Sequence, residues 1–206
     1  MKPLFKKGDP TDFSNYRPIS LLTSFSKVIE KIVYERLYCH LIDNNILVEE
    51  QMGFQEKLST DTATYAFLNM VFSSLDSKNY VGGLFCDLQK AFDCVNHDIL
   101  LAKMKFYGIT GIAYNLIRSY LANRYQRTRI NKLSSTWERV NHGVPQGSVL
   151  GPLLFLTYIN DFPSAINKLA SSVLFADDTS IIISNTNPEE FKNSTILVMN
   201  EMNKVV

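Results

Sequence analysis

Apolar residues recur at helical spacing early in the chain. Phe25, Val28, Ile29, Ile32, Val33, Leu37 and Leu41 form one stripe that stops at Asn44-Asn45. A second stripe, Ala63, Phe67, Met70, Val71 and Leu75, follows Ser59-Thr60, a good helix-capping pair. "YVGGLFCDL" (Tyr80–Leu88) is apolar without a helical period and predicts a buried strand with Asp87 at its C-terminal end. Asn96 predicts the cap of a helix carrying Ile99, Leu100, Met104 and Phe106 and ending at Gly108, and another helix is expected over about 111–123. Gln126–Ile130 and Thr136–Val140 alternate around "NKLSS", as in a hairpin. "GVPQGS" reads as a loop leading into an apolar helix, Val149–Ile159, whose Pro152 falls in the first turn, where it costs no amide bond. Ser172–Phe175 and Ser180–Ser184 read as strands joined by a tight "ADDT" turn, and Pro188–Val206 as a final helix. Helices and strands mix without strict alternation. The fold class predicted is α+β, an antiparallel sheet with helices on one face.

That pattern makes the aspartates conspicuous. "VLFADDTSIII" places Asp177 and Asp178 between two apolar strands, and Asp87 ends a third. Neighbouring strands would bring the three carboxylates to one sheet edge, where their repulsion is costly unless cations sit between them. Oxygen ligands without His or Cys suit Mg²⁺ or Mn²⁺. Successive side chains point to opposite faces, so one of Asp177 and Asp178 should be the main ligand and the other auxiliary. Two bound ions could activate a hydroxyl and stabilise a leaving oxygen. Nucleases and phosphatases fit this pattern, and adjacent aspartates also serve as plain turn formers.

Composition narrows the field only slightly. The chain has 206 residues, 46% hydrophobic and 20% charged, which is ample for a core, and its net charge of +1 neither requires nor excludes a polyanionic partner. It has no apolar run long enough to span a bilayer and no secretory signal. Cys39, Cys86 and Cys94 lack metal-ligand spacing, which predicts reduced, buried thiols in an intracellular protein.

Five blocks then occur in a telling order: "NYRPISLL" (Asn15–Leu22), "QMGF" (Gln51–Phe54), "FCDLQKAFDCVNHDIL" (Phe85–Leu100), "GVPQGSVLGPLLF" (Gly143–Phe155) and "FADD" (Phe175–Asp178). With them the chain resembles, over essentially its whole length, the reverse transcriptase domain of jockey-like non-LTR retrotransposons. The resemblance implies fingers (about residues 1–80) and a palm (81–206), with an antiparallel palm sheet backed by helices. It implies that Asp87, Asp177 and Asp178 bind two Mg²⁺ ions, or Mn²⁺, for attack of a DNA primer 3′-hydroxyl on a dNTP, directed by an RNA template. Phe92 matches the aromatic that lies under the sugar and excludes a 2′-hydroxyl. Gln146 and Gly147 match the loop lying against nucleotide and template. Arg17, with Lys6 and Lys7, matches a triphosphate contact in the fingers, where a guanidinium suits phosphate oxygens.

Arg118, Arg124, Arg127, Arg129 and Arg139, with Tyr120 and Tyr125 among them, either hold template–primer phosphates or form a solvated face. His97 and His142 read as structural. The chain departs from the family at Gln55, where an arginine usually follows "GF". By the same resemblance it is truncated at both ends and lacks a thumb. Two functions therefore stand: an RNA-directed DNA polymerase domain, and an inactive retrotransposon remnant that binds nucleic acid weakly.

Overall fold

The chain opens with a hairpin that its apolar pattern does not announce. Strand β1 (Lys2–Phe5) pairs antiparallel with β2 (Tyr16–Ile19), setting Lys2 opposite Ile19 and Phe5 opposite Tyr16. The computed structural model describes residues 1–88 and 90–205, the last two by backbone alone, so Gln89 and Val206 lie outside the described residues. Helices α1 (Ser24–Asp43) and α2 (Thr60–Asp76) begin where Thr23 and Ser59 turn their hydroxyls to the amides of Ser26 and Thr62. Strand β3 (Tyr80–Asp87) follows. Helix α3 (His97–Phe106) is capped by Asn96, whose side chain accepts from the amides of Asp98 and Ile99, and it ends before Gly108 at φ +82°. After α4 (Gly111–Leu121) come β4 (Arg124–Gln126), β5 (Arg129–Ile130), β6 (Leu133–Ser134) and β7 (Glu138–Val140). Helices α5 (Leu150–Ile159) and α6 (Phe162–Ile166), strands β8 (Ser171–Phe175) and β9 (Asp178–Asn185), and helix α7 (Pro188–Val205) complete the order. The α+β expectation holds, and the capped helices fall where the caps predicted them. Among the described residues no helix is long and apolar enough to cross a membrane.

The elements gather into two compact units, each built from two separated segments. The first comprises Met1–Ile46 and Lys90–Tyr158. Its core is centred on α5, where Leu153, Leu154, Phe155 and Leu156 are all at most 2% exposed, together with Leu100 and Met104 of α3 and Ile117 of α4. The expected hairpin at 126–140 is two ladders. Gln126 faces Glu138 and Arg129 faces Ser134, so two residues on one side oppose three on the other, a bulge that interrupts pairing.

The stripe on α1 is only half a core stripe. Leu37 and Leu41 are buried, but Phe25 is 82% exposed and Val28, Ile29 and Ile32 are also exposed. The buried position in that half is Glu30, whose carboxylate accepts from the Tyr120 hydroxyl at 3.0 Å and from the Val149 amide at 2.7 Å. A charge can be buried there because its lone pairs are met.

The second unit comprises Leu47–Gln89 and Ile159–Val206. It holds the antiparallel sheet β3-β9-β8. Residues Glu50–Met52 run beside β8 as a short parallel extension: the Met52 amide donates to the Leu174 carbonyl at 2.7 Å, and the Leu174 amide donates to that of Glu50 at 2.8 Å. Helices pack on both faces rather than one. A Cβ at Gly82 would lie 2.6 Å from the ring of Phe191 on α7, whereas Phe85, on the opposite face by alternation, meets Phe67 of α2 at 5.6 Å between ring centroids. Strand β3 is not the buried strand expected. It lies at the sheet edge, and with one face met mainly by Phe67, Phe85 remains 71% exposed. The thiols also differ from expectation. All three are free, but Cys39 and Cys94 are exposed, because a thiol's tendency to burial does not bind every solvent-facing helix or loop position.

Candidate active site

The register of the second unit brings the carboxylates together. Phe175 pairs with Asp178 across β8 and β9, so the hairpin turn is only Ala176-Asp177, shorter than the expected four-residue turn. Asp178 already belongs to β9 and lies directly opposite Asp87 at the end of β3. Cross-strand partners share a face, with β-carbons about 4.5–5.5 Å apart. Asp87 and Asp178 are exposed, and Asp177 is half-buried in the turn beside them. The ladder therefore presents a facing pair with a third carboxylate next to it, rather than a three-sided cage. Among the described residues no three His, Cys, Asp or Glu side chains are grouped closely enough to hold a metal ion by themselves.

An all-oxygen pair of this kind fits Mg²⁺, which takes one or two protein carboxylates and completes its shell with water and substrate phosphates. Two like charges facing each other at a strand end also gain from a cation between them.

The turn is constrained from outside the hairpin. Ala176 is left-handed, at φ 59°. The side chain of Gln51, 2% exposed, accepts from the Ala176 amide at 3.0 Å and donates to the Ala176 carbonyl at 3.3 Å. Sequence reasoning missed this residue. The "QMGF" block that contains it was the available signal.

The first unit gathers a second set of expected residues. Phe92 is half-buried with its ring stacked on Phe155, centroids 4.8 Å apart. Its carbonyl accepts from the Val144 amide at 2.7 Å, which ties it to the loop of Gln146 and Gly147. The Gln146 side chain donates to Asp93 at 3.0 Å, and its carbonyl accepts from the Ser20 amide at 2.9 Å, immediately after β2. Gly147 has φ +93° and lies against Ile19 and Ser20. Arg17 is exposed on β2, so this loop and that strand share one neighbourhood. Burial pushes the Asp93 carboxyl up, while the Gln146 hydrogen bond and the charge of Lys90 pull it down.

The arginines divide by environment. The Arg124 guanidinium lies over the Tyr120 ring at 5.9 Å, and burial lowers its pKa against the pull of Tyr120 and Glu30. Arg127 is exposed and lies over Trp137 at 4.6 Å, and Arg129 is exposed with its Nε donating to the Asn131 carbonyl at 3.3 Å. Arg118 and Arg139 line one pocket together with Lys105 and His142. His97 bonds through Nε2 to the Gly143 carbonyl at 2.8 Å, in keeping with a structural role.

A family model described as "Reverse transcriptase (RNA-dependent DNA polymerase)" matches residues 5–205. Similar proteins include the "Probable RNA-directed DNA polymerase from transposon X-element" of Drosophila melanogaster, 37% identical over 86% of this chain and 20% of that protein. The corresponding protein from transposon BS of the same species is 35% identical over 88% of this chain and 21% of that protein. The RNA-directed DNA polymerase from its mobile element jockey is 31% identical over 84% and 19%. The chain thus spans about a fifth of the length of these curated relatives. Among solved structures, apo telomerase from Candida tropicalis, truncated from its C-terminal domain, superposes with a TM-score of 0.58 at 14% identity. That match covers 85% of this chain and 40% of that one, a likeness of fold.

Proposed function

Since the chain belongs to the reverse transcriptase (RNA-dependent DNA polymerase) family, we propose that it adds dNTPs to a DNA primer 3′-hydroxyl as directed by an RNA template, within a non-LTR retrotransposon. The observation that carries this reading is the pairing of Asp87 with Asp178 beside the Ala176-Asp177 turn. Asp87, Asp177 and Asp178 would hold Mg²⁺ or Mn²⁺, two ions in the complete site. Bound there, the ions would lower the charge barrier at the attacking hydroxyl and at the leaving pyrophosphate. The protein's own part is to hold the reactants in line and to keep the carboxylates oriented.

Phe92 would restrict the sugar through its bulk, braced from behind by Phe155. Gln146 and Gly147 would offer a loop that a base can approach closely. Arg17 would take a triphosphate oxygen pair, and Arg124, Arg127 and Arg129 would face template–primer phosphates. Of these three, the exposed Arg127 and Arg129 are the better placed to do so. The fingers would be about residues 1–80 and the palm 81–206, with the work done inside the cell, where the nucleotides are. The alternative is an inactive retrotransposon remnant with weak nucleic-acid binding.

Primer extension on an RNA template with Mg²⁺ separates the two. Extension by the chain that disappears in Asp177→Ala supports the polymerase. Extension that is absent, or equal in the two proteins, overturns it.

A further inference from the structure

The turn that carries Asp177 and leads into Asp178 is strained, and so is the loop beside it. Ala176 has φ 59° and Phe54 has φ 56°. Each is a side-chain-bearing residue in the left-handed region, a conformation that persists only where the surroundings over-determine it. Here the surroundings are specific. The side-chain oxygen of Gln51 accepts two amides, Gly53 at 2.8 Å and Ala176 at 3.0 Å, while its nitrogen donates to the Ala176 carbonyl. Both backbone polar groups of the strained residue are thereby held by one buried amide.

The approach itself depends on Gly53. A Cβ there would lie 2.1 Å from the Ala176 nitrogen and 2.8 Å from its Cα, inside contact with backbone that cannot yield. The Gln51 backbone is fixed in turn: its neighbours Glu50 and Met52 pair with Leu174, and the Gln55 side chain donates to the Gln51 carbonyl. The side-chain hydrogen bonds of Gln51 thus end on the turn residue or on the glycine that admits it. An ordinary core position would be served as well by an apolar residue of the same volume, with no polar group to satisfy.

We infer that Gln51 is a positioning residue for this site: admitted by Gly53, its amide locks Ala176 in the left-handed conformation and so sets the direction in which Asp177 and Asp178 leave the hairpin. The inference rests on the proposed role of those carboxylates and adds to it a residue that touches neither metal nor substrate.

The test uses Gln51→Met in the 206-residue chain, which keeps the volume and removes the polar contacts. A control, Ile117→Ala, weakens the core of the other unit, since Ile117 is 1% exposed. Backbone amide exchange at Ala176 should become about tenfold faster in Gln51→Met, as expected for one lost hydrogen bond. The kcat of primer extension should fall roughly a hundredfold, the scale of a misplaced reacting group, with the dNTP KM nearly unchanged. The control should lower Tm and leave both values near wild type. Unchanged exchange at Ala176, or a kcat no lower than that of the control, overturns the inference.

Mn²⁺ affinity, read by electron paramagnetic resonance without primer or nucleotide, separates this inference from the polymerase reading. If the wild type extends nothing, the polymerase reading falls. Weaker Mn²⁺ binding by Gln51→Met than by wild type then still supports the clamp, and equal binding overturns it.

Discussion

Glu30→Ala removes a carboxylate that three segments of the first unit share. Its two oxygens accept from the Tyr120 hydroxyl of α4 at 3.0 Å and from the Val149 amide, at the entrance to α5, at 2.7 Å. The Arg124 guanidinium lies over the same tyrosine and gains from the negative charge. Hydrogen bonds to a charged group contribute about 1.5–3 kcal/mol each. Alanine leaves the Tyr120 hydroxyl and the Val149 amide without that acceptor, and each unmet buried donor costs about 1–3 kcal/mol, so the net loss should be about 2–6 kcal/mol. For a chain of this size that corresponds to a fall in Tm of roughly 10 °C. Urea denaturation followed by circular dichroism gives the free energy directly. A double-mutant cycle with Tyr120→Phe should show coupling of about 1–3 kcal/mol, because the two side chains touch. Val149 leads out of the Gln146–Gly147 loop, so the dNTP KM should rise as well. A Glu30→Ala protein within about 1 kcal/mol of wild type, or a cycle that is additive, would show that the buried carboxylate holds nothing together.

Gly143→Ala should destabilise by more than about 1 kcal/mol, since φ is +83° and the new Cβ would meet the Asp93 carbonyl at 2.7 Å; a urea midpoint equal to wild type contradicts this. Burial raises the Asp93 carboxyl from its ordinary 3.8, so the folded chain holds that proton more tightly than the unfolded one. The resulting stability is full below the ordinary value and is lost as pH rises through the raised one, so wild type should lose stability relative to Asp93→Asn across that interval; a difference that is flat or of opposite slope refutes it. Phe92→Val should raise the use of rNTP relative to dNTP by about tenfold or more, as expected when bulk alone rejects a hydroxyl; an unchanged ratio of kcat/KM values removes Phe92 from sugar selection.

What was legible in the sequence has local signatures. Ser59 and Asn96 cap helices through bonds to amides two or three residues away, and those helices begin where expected. The β8–β9 hairpin was legible because two apolar runs flank a carboxylate pair, and β3 because its apolar run lacks a helical period, although Asp178 belongs to β9 and β3 to the sheet edge. What stayed hidden depends on distant partners. Glu30 sits inside an apolar stripe and is buried because of Tyr120, 90 residues on. The β1–β2 hairpin joins strands across a long connection that contains Gly8, Asp9 and Pro10, so the strands on either side do not read as a pair. Gln51 reaches Ala176 across 125 residues, and a side chain bonding to backbone leaves no period behind it. Phe85 and Phe25 looked like core because an apolar run records what a residue prefers, not whether a neighbour covers it.

The choice of alanine at 176 follows from the same geometry. Glycine would reach φ 59° without the penalty that a Cβ adds, about 1–2 kcal/mol. Glycine would also leave the mirror-image and extended regions open to the turn, and the carboxylates beyond it would then point several ways. Alanine closes most of those alternatives but prefers the right-handed region. Two bonds from Gln51, each contributing about 1 kcal/mol net, are of the size needed to reverse that preference. The Cβ narrows the turn and the glutamine selects among what remains, and neither suffices alone. A site whose ligands must be presented in one direction before any cation arrives gains from this division, because the ordering is done on folding and not at the moment of binding.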